Sequence, residues 1–300
     1  VLMVWGCSEK NEVIPNVEEK VGTDKINEVS EPSIKVIGGI LTFATSKDYE
    51  NSIKFFSTKN QKEVNEWFTK QNFTTLNSVY SDLFKKITLL ETEEDIRKLV
   101  KDNNRYLLIN RDQFGEEEII SKTKLFQNYF ANKDFIYKVG DNLVDVRTAF
   151  EVFPSTSRSC GNPDIKYYTR RSGWWNGRRA KLEVKAVRDV ETYKNTSVVT
   201  LENQMFLSGQ RRFAGFWANY STDLDYQTTP FPTISSEYNG TTLNSPLYGS
   251  STCNDCNELV LISFISNLLN GSGIVDVKSA SGKGTTRGIG NAFVELTCND

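Results

Sequence analysis

The chain of 300 residues contains no histidine, two methionines, five cysteines and seven prolines. The missing histidine excludes Ser-His-Asp and Cys-His catalysis and any imidazole-ligated metal. Acid–base chemistry near neutral pH would fall to carboxylates, Lys, Tyr or Cys with displaced pKa values. Neither sign of charge dominates. Lys and Arg number 36 against 38 Asp and Glu, a net charge of −2, so no global field draws the chain to nucleic acid. Nor is there a run of the ~18 apolar residues that a membrane-spanning helix requires. No segment calls for a cofactor or a metal.

What is there begins with Val1-Leu-Met-Val-Trp5, an apolar run that leads through Gly6 into Cys7 and then into polar Ser8-Glu-Lys-Asn-Glu12. This order resembles the end of a bacterial lipoprotein signal peptide, residues 1–7, with Cys7 as the lipidated residue and Trp5 where a small residue is usual. Acyl chains on Cys7 would then be the membrane attachment. The competing reading is a short buried apolar N-terminus. Residues 8–33 mix Glu, Lys, Asn, Val and Pro with no periodic apolar face, which predicts a disordered, mildly acidic tether. A coil of this length spans roughly 30 Å.

Four further cysteines, Cys160, Cys253, Cys256 and Cys298, are an even number, and in an exported chain they predict two disulfides with three possible pairings. Four buried thiols are the alternative. Cys253-Asn-Asp-Cys256 has the spacing of a redox motif at a helix N-terminus. No proline follows Pro246, so the cis-proline that faces such a motif is lacking, and a structural disulfide is the better reading.

The hydrophobic pattern predicts an α+β fold: a mixed α/β module over residues 34–153, then a β-rich, sandwich-like domain over 154–300. In the first, Gly38-Gly39 separates two short strands, and Thr45/Asp48, Asn60/Glu63 and Thr92/Asp95 have helix-start spacing. Leu76, Val79, Tyr80, Leu83, Phe84, Ile87 and Leu90 form a helical stripe. Phe135-Ile-Tyr-Lys-Val139 and Leu143-Val-Asp-Val-Arg147 flank a Gly140-Asp141-Asn142 turn, as in a hairpin. In the second, Lys181-Leu-Glu-Val-Lys-Ala-Val-Arg188 alternates polar and apolar over a full strand. Glu258 to Leu269 fits either a buried strand or a helix. Gly282-Lys-Gly-Thr-Thr286 lacks the first glycine of a phosphate loop and reads as a mobile Gly-rich turn.

Gly39-Ile-Leu-Thr-Phe43, Asp48-Tyr49, Glu66-Trp67 and Phe73-Thr-Thr-Leu76, with the later Asn110 turn and the Phe135–Val139 hairpin, resemble uncharacterised Bacteroidota surface and outer-membrane lipoproteins. That resemblance implies a place, the bacterial outer membrane with possible cell-surface exposure, and an architecture. It implies no reaction.

The segment Arg170-Arg171-Ser-Gly-Trp174-Trp175-Asn-Gly-Arg178-Arg179 is the strongest candidate for a ligand surface. Adjacent tryptophans in a strand point to opposite faces. In a Gly-flanked turn both could be exposed and stack on sugar rings, with Arg171, Arg178 and Arg179 beside them. One core Trp and one Trp covered by Arg through a cation–π contact is the plainer alternative. The leading expectation is non-enzymatic binding of glycan or protein. A structural or assembly role in an envelope complex comes second, and a carboxylate-based hydrolase using Asp223 and Asp225 third.

Overall fold

Four helices open where a short polar side chain can stand in for the missing turn of backbone. The computed structural model describes residues 31–112, 115–148, 167–172, 176–193, 196–226, 233–238, 241–247, 249–268, 275–287 and 292–298. After the hairpin β1 (Ile34–Ile37) and β2 (Ile40–Phe43) come α1 (Ser46–Ser57), α2 (Gln61–Lys70), α3 (Leu76–Ile87) and α4 (Glu93–Asp102). Thr45, Asn60, Thr75 and Thr92 cap them, each accepting the backbone N–H three residues on. At Asn60 the box is reciprocal: Glu63 N donates to Asn60 Oδ1 at 3.0 Å and Asn60 N to Glu63 Oε2 at 2.8 Å. Each such cap contributes about 1 kcal/mol. The Gly38-Gly39 turn has φ of 58° and 76°, the pair of left-handed residues that a tight two-residue hairpin needs.

Next come β3 (Leu107–Arg111), β4 (Glu117–Ser121), a 3-10 turn at Phe126–Tyr129, β5 (Ile136–Val139) and β6 (Asn142–Asp145). Strands β1, β2, β5 and β6 make a small sheet in that order. Its inner face carries Leu41, Phe43, Tyr137 and Val139, all buried against helix residues Tyr49, Ile53, Phe56 and Phe68. Glu31, inside the expected tether, accepts a 2.7 Å hydrogen bond from Trp67 Nε1.

The rest of the described chain is strand: β7 (Tyr167–Arg171), β8 (Arg178–Tyr193), β9 (Thr196–Phe213), β10 (Phe216–Asn219), β11 (Thr222–Tyr226), β12 (Thr233–Tyr238), β13 (Thr241–Pro246), β14 (Thr252–Cys256), β15 (Glu258–Leu268), β16 (Val275–Arg287) and β17 (Ala292–Cys298). The fold is thus α+β, with the helices of the described residues confined to the first half. Glu258–Leu268 is a strand, which resolves that ambiguity. A central sheet runs β3-β4-β10-β9-β8-β7, with β15 also on β9. A second sheet runs β13-β12-β16-β11-β14, with β17 also on β16. The two sheets share a core of Leu182, Val184, Met205, Leu207, Leu224, Tyr226, Ile234, Leu259 and Leu261, which is a β-sandwich.

Gly282–Thr286 lies inside β16 rather than in a mobile turn. The glycine has a packing reason: a Cβ on Gly284 would fall 2.6 Å from Leu207 Cδ1, so its absence lets the two sheets approach. The expected boundary near Pro154 falls outside the described residues. The elements on either side of it meet in one sheet, because β4 pairs in parallel with β10 at Glu118 and Trp217.

Candidate functional site

The long strands β8 and β9 alternate, so each contributes two chemically distinct faces. On β8, Ala180, Leu182, Val184 and Ala186 face the sandwich core. Arg179, Lys181, Glu183 and Lys185 face the other way. Register sets Arg179 opposite Gln210, Lys181 opposite Ser208, Glu183 opposite Phe206 and Lys185 opposite Gln204. This charged face is not open to solvent. Elements of the first half cover it, and Arg179, Glu183, Lys185 and all four β9 partners are buried.

An ionic layer results. Arg171 Nη1 lies 2.7 Å from Asp112 Oδ2 and also pairs with Glu116. Arg179 Nη1 lies 2.9 Å from Glu116 Oε2, its Nε donates to Gln210 Oε1 at 2.7 Å, and its guanidinium stacks 4.2 Å from the Trp217 ring centre. Lys181 Nζ reaches Glu118 Oε1 at 2.7 Å and Glu183 Oε1 at 3.4 Å. Lys124 pairs with Glu183 and, at 2.7 Å, with Glu258. Lys185 Nζ donates to the Lys124 carbonyl at 2.8 Å. Next to the layer, Gln127 and Gln204 donate to the buried Glu202.

The electrostatics follow from this crowding. Burial alone would raise the Glu183 carboxyl, but Lys124, Lys181 and Lys185 outweigh it and hold it well below the ordinary range. Burial would lower Lys124, but Glu183 and Glu258 push it up instead. Lys185 has burial, Lys124 and Lys181 against it, and is pushed down to about 8. Burial lowers Arg179, which stays charged beside Glu118, Glu116 and Asp112.

The arginine segment therefore divides. Arg171 and Arg179, expected at a ligand surface, lie in the ionic layer, and only 2% of Arg179 is exposed. Adjacent strand residues alternate, so Arg178 goes to the opposite face, directly across from Arg211. Arg212 follows. Arg178 is half-buried, and Arg211 and Arg212 are exposed. Trp174 and Trp175 lie outside the described residues, as do Cys7 and Cys160. Cys253 and Cys256, both buried on β14, sit at disulfide-bonding distance with their Cα atoms 5.9 Å apart. They are on a strand, not at a helix N-terminus, so the dipole that activates a redox cysteine is not supplied there. Cys298 on β17 registers opposite Ala280. Asp223 and Asp225 lie on one side of β11, and Asp223 Oδ1 accepts the Asp255 amide at 3.1 Å.

No protein-family model and no curated protein matches this chain. Among solved structures it is similar to a DUF4848 family protein from Bacteroides thetaiotaomicron VPI-5482, with 15% identity over 88% of this chain and 99% of that one and a TM-score of 0.33. Among the described residues, no helix is long and apolar enough to cross a membrane, and no group of three or more Cys, Asp or Glu is placed to hold a metal ion.

The sequence reading missed Lys124, Glu118, Glu183, Gln210 and Glu258. A signal was present for one of the strands: Arg179, Lys181, Glu183 and Lys185 recur at period two with both signs on one face. The covering residues, which come from β4 and the loops before and after it, carry no such mark.

Proposed function

We propose that this chain is an envelope protein anchored through lipid on Cys7, and that it binds a glycan or protein ligand without chemical turnover. The observation that carries the binding part is the division of charge across β8 and β9. Asp112, Glu116, Glu118, Glu183 and Glu258 are each taken up by Lys or Arg, which leaves them poor candidates for acid–base work on a substrate. Arg178 and Arg211 instead share the opposite face at one end of the sheet. Trp174 and Trp175 lie four and three positions before Arg178 in sequence.

Two measurements test the proposal. Mass spectrometry of the N-terminus from native membranes should find an acylated Cys7, and Cys7→Ser should release the protein. An unmodified peptide through Gly6-Cys7-Ser8 removes the anchor from the reading. A glycan and protein array probed with the purified chain should give saturable binding. A blank array, or turnover of a bound glycan, removes the rest.

A second reading, assembly into an envelope complex, has its own support. On the outer face of the small sheet Ile37 and Leu143 are each 60% exposed, an apolar display that suits a protein neighbour. Cross-linking in native membranes would find a constant stoichiometric neighbour through this face if that reading holds.

A further inference from the structure

We propose that Arg178 and Arg211 form a site for a carboxylate- or sulfate-bearing saccharide, a specification that rests on the binding reading above. The two residues face each other in register on β8 and β9. Like charges opposed across a strand pair repel. On the other face of the same sheet Arg171, Arg179 and Lys181 all have a carboxylate oxygen within 2.9 Å. Among the described residues, no such partner lies at ion-pair distance from Arg178 or Arg211. Three cations of the buried face are neutralised from within the chain, and Arg178 and Arg211 are left for something outside it.

The site is also held in place before any ligand arrives. Arg179 and Gln210, the neighbours of Arg178 and Arg211, are buried and joined by the 2.7 Å Nε–Oε1 hydrogen bond. Arg212 N donates to the Gly177 carbonyl at 2.8 Å. Two guanidinium forks thus project from fixed strands, and little ordering entropy is lost on binding. Each fork matches the paired oxygens of a carboxylate or sulfate. Beside them lie the Phe213 ring, 5.3 Å from the Arg211 guanidinium carbon, and the phenol of Tyr220, close enough to feel the charge of both arginines. Both rings are buried, so they back the forks, and recognition falls to the paired oxygens of a sugar acid or sugar sulfate. Two cations on one face are too few to track a nucleic-acid backbone. They are also too few for the closely spaced carboxylates of an acidic peptide.

The test is calorimetric titration of the full chain with oligouronate, a sulfated oligosaccharide, a neutral oligosaccharide of the same length and oligoglutamate. Binding to the uronate or the sulfated chain is expected, and the stronger of the two identifies the anion. It should weaken with added salt and by about tenfold or more in Arg178→Gln and in Arg211→Gln. Because each change removes a repulsion, the melting temperature should not fall, which separates lost binding from lost folding. Arg211→Lys, which keeps the charge and loses the fork, should retain only part of the affinity. No binding to either anionic saccharide overturns the assignment, as does tighter binding to oligoglutamate. Equal binding of the neutral chain, unchanged in both glutamine variants, overturns it too while leaving the broader binding reading standing.

Discussion

The two faces of the central sheet are built from the same strands and held by opposite means. Leu182, Val184, Met205 and Leu207 pack one face against the second sheet. One residue away along each strand, Arg179, Lys181, Glu183, Gln204, Ser208 and Gln210 make the other face an ionic and hydrogen-bonded layer. The apolar face gains from every buried methylene and tolerates swaps of similar volume. The ionic face gains little from being charged, since desolvation offsets most of the attraction, yet it loses heavily if one member is removed. Burial is equal on the two faces; tolerance to change is not.

The largest effect expected is at Glu183. Glu183→Gln leaves Lys124 and Lys181 short of a carboxylate in a buried layer, and urea unfolding should show a loss of about 3–5 kcal/mol. Leu207→Ala tests the other face, where the lost transfer energy and the cavity should together cost about 2–5 kcal/mol. A Glu183→Gln loss well under that of Leu207→Ala would mean the ionic layer relaxes or admits water, and the comparison fails.

The pH dependence should sharpen the contrast, because below about pH 10 only the ionic face titrates. Glu183 is held below its ordinary value of 4.5. The unfolded chain therefore takes up a proton that the native carboxyl refuses, and stability should fall as the pH drops below about 4.5. Lys185 runs the other way. Its native value is near 8 against 10.5 unfolded, so the unfolded state binds more protons between those limits and stability should rise across that window. Above 10.5 the raised Lys124, together with the buried Tyr80, Tyr129 and Tyr226, reverses the trend. Chemical unfolding from pH 3 to 11 checks all three limbs. In Lys185→Met the rise between 8 and 10.5 should vanish.

The smallest effect is expected at a polar group placed in the apolar core. The Tyr226 hydroxyl reaches across to the carbonyl oxygens of Met205 and Leu259, 3.1 Å from each. Tyr226→Phe keeps the ring and should cost about 1 kcal/mol, read as a shift in the urea midpoint with unchanged slope.

Much of this fold was legible in the sequence. Thr45, Asn60 and Thr92 announced their helices through local hydrogen bonds, which depend only on neighbours three residues away. The hairpins at Gly38-Gly39 and Gly140 were equally local. The alternation of Lys181 to Arg188 marked a strand correctly, but a polar face reads as solvated unless the residues that cover it are known. Those residues, Lys124 to Gln127, lie more than fifty positions away. The same gap explains the arginines. Parity along β8 separates Arg178 from Arg179, but which of the two faces outward depends on β4 and the loop after it. Gly284 misled for a related reason: its glycine serves a close approach by Leu207 from another sheet, and no feature of its own segment shows that.

The salt bridge between Lys124 and Glu258 has a bearing on how the molecule is made. A ribosome releases Lys124 long before Glu258, and Glu183 also comes later, so the nascent first half carries a lysine whose counter-charges do not yet exist. The helices can form from their own caps as they emerge. The layer that joins them to the sheet must wait until β8, β9 and β15 have been synthesised and paired, and contacts of such long sequence separation form slowly. Synthesis stopped before β8 should leave a helical but loosely packed fragment, and the native state should arrive only with the last third of the chain.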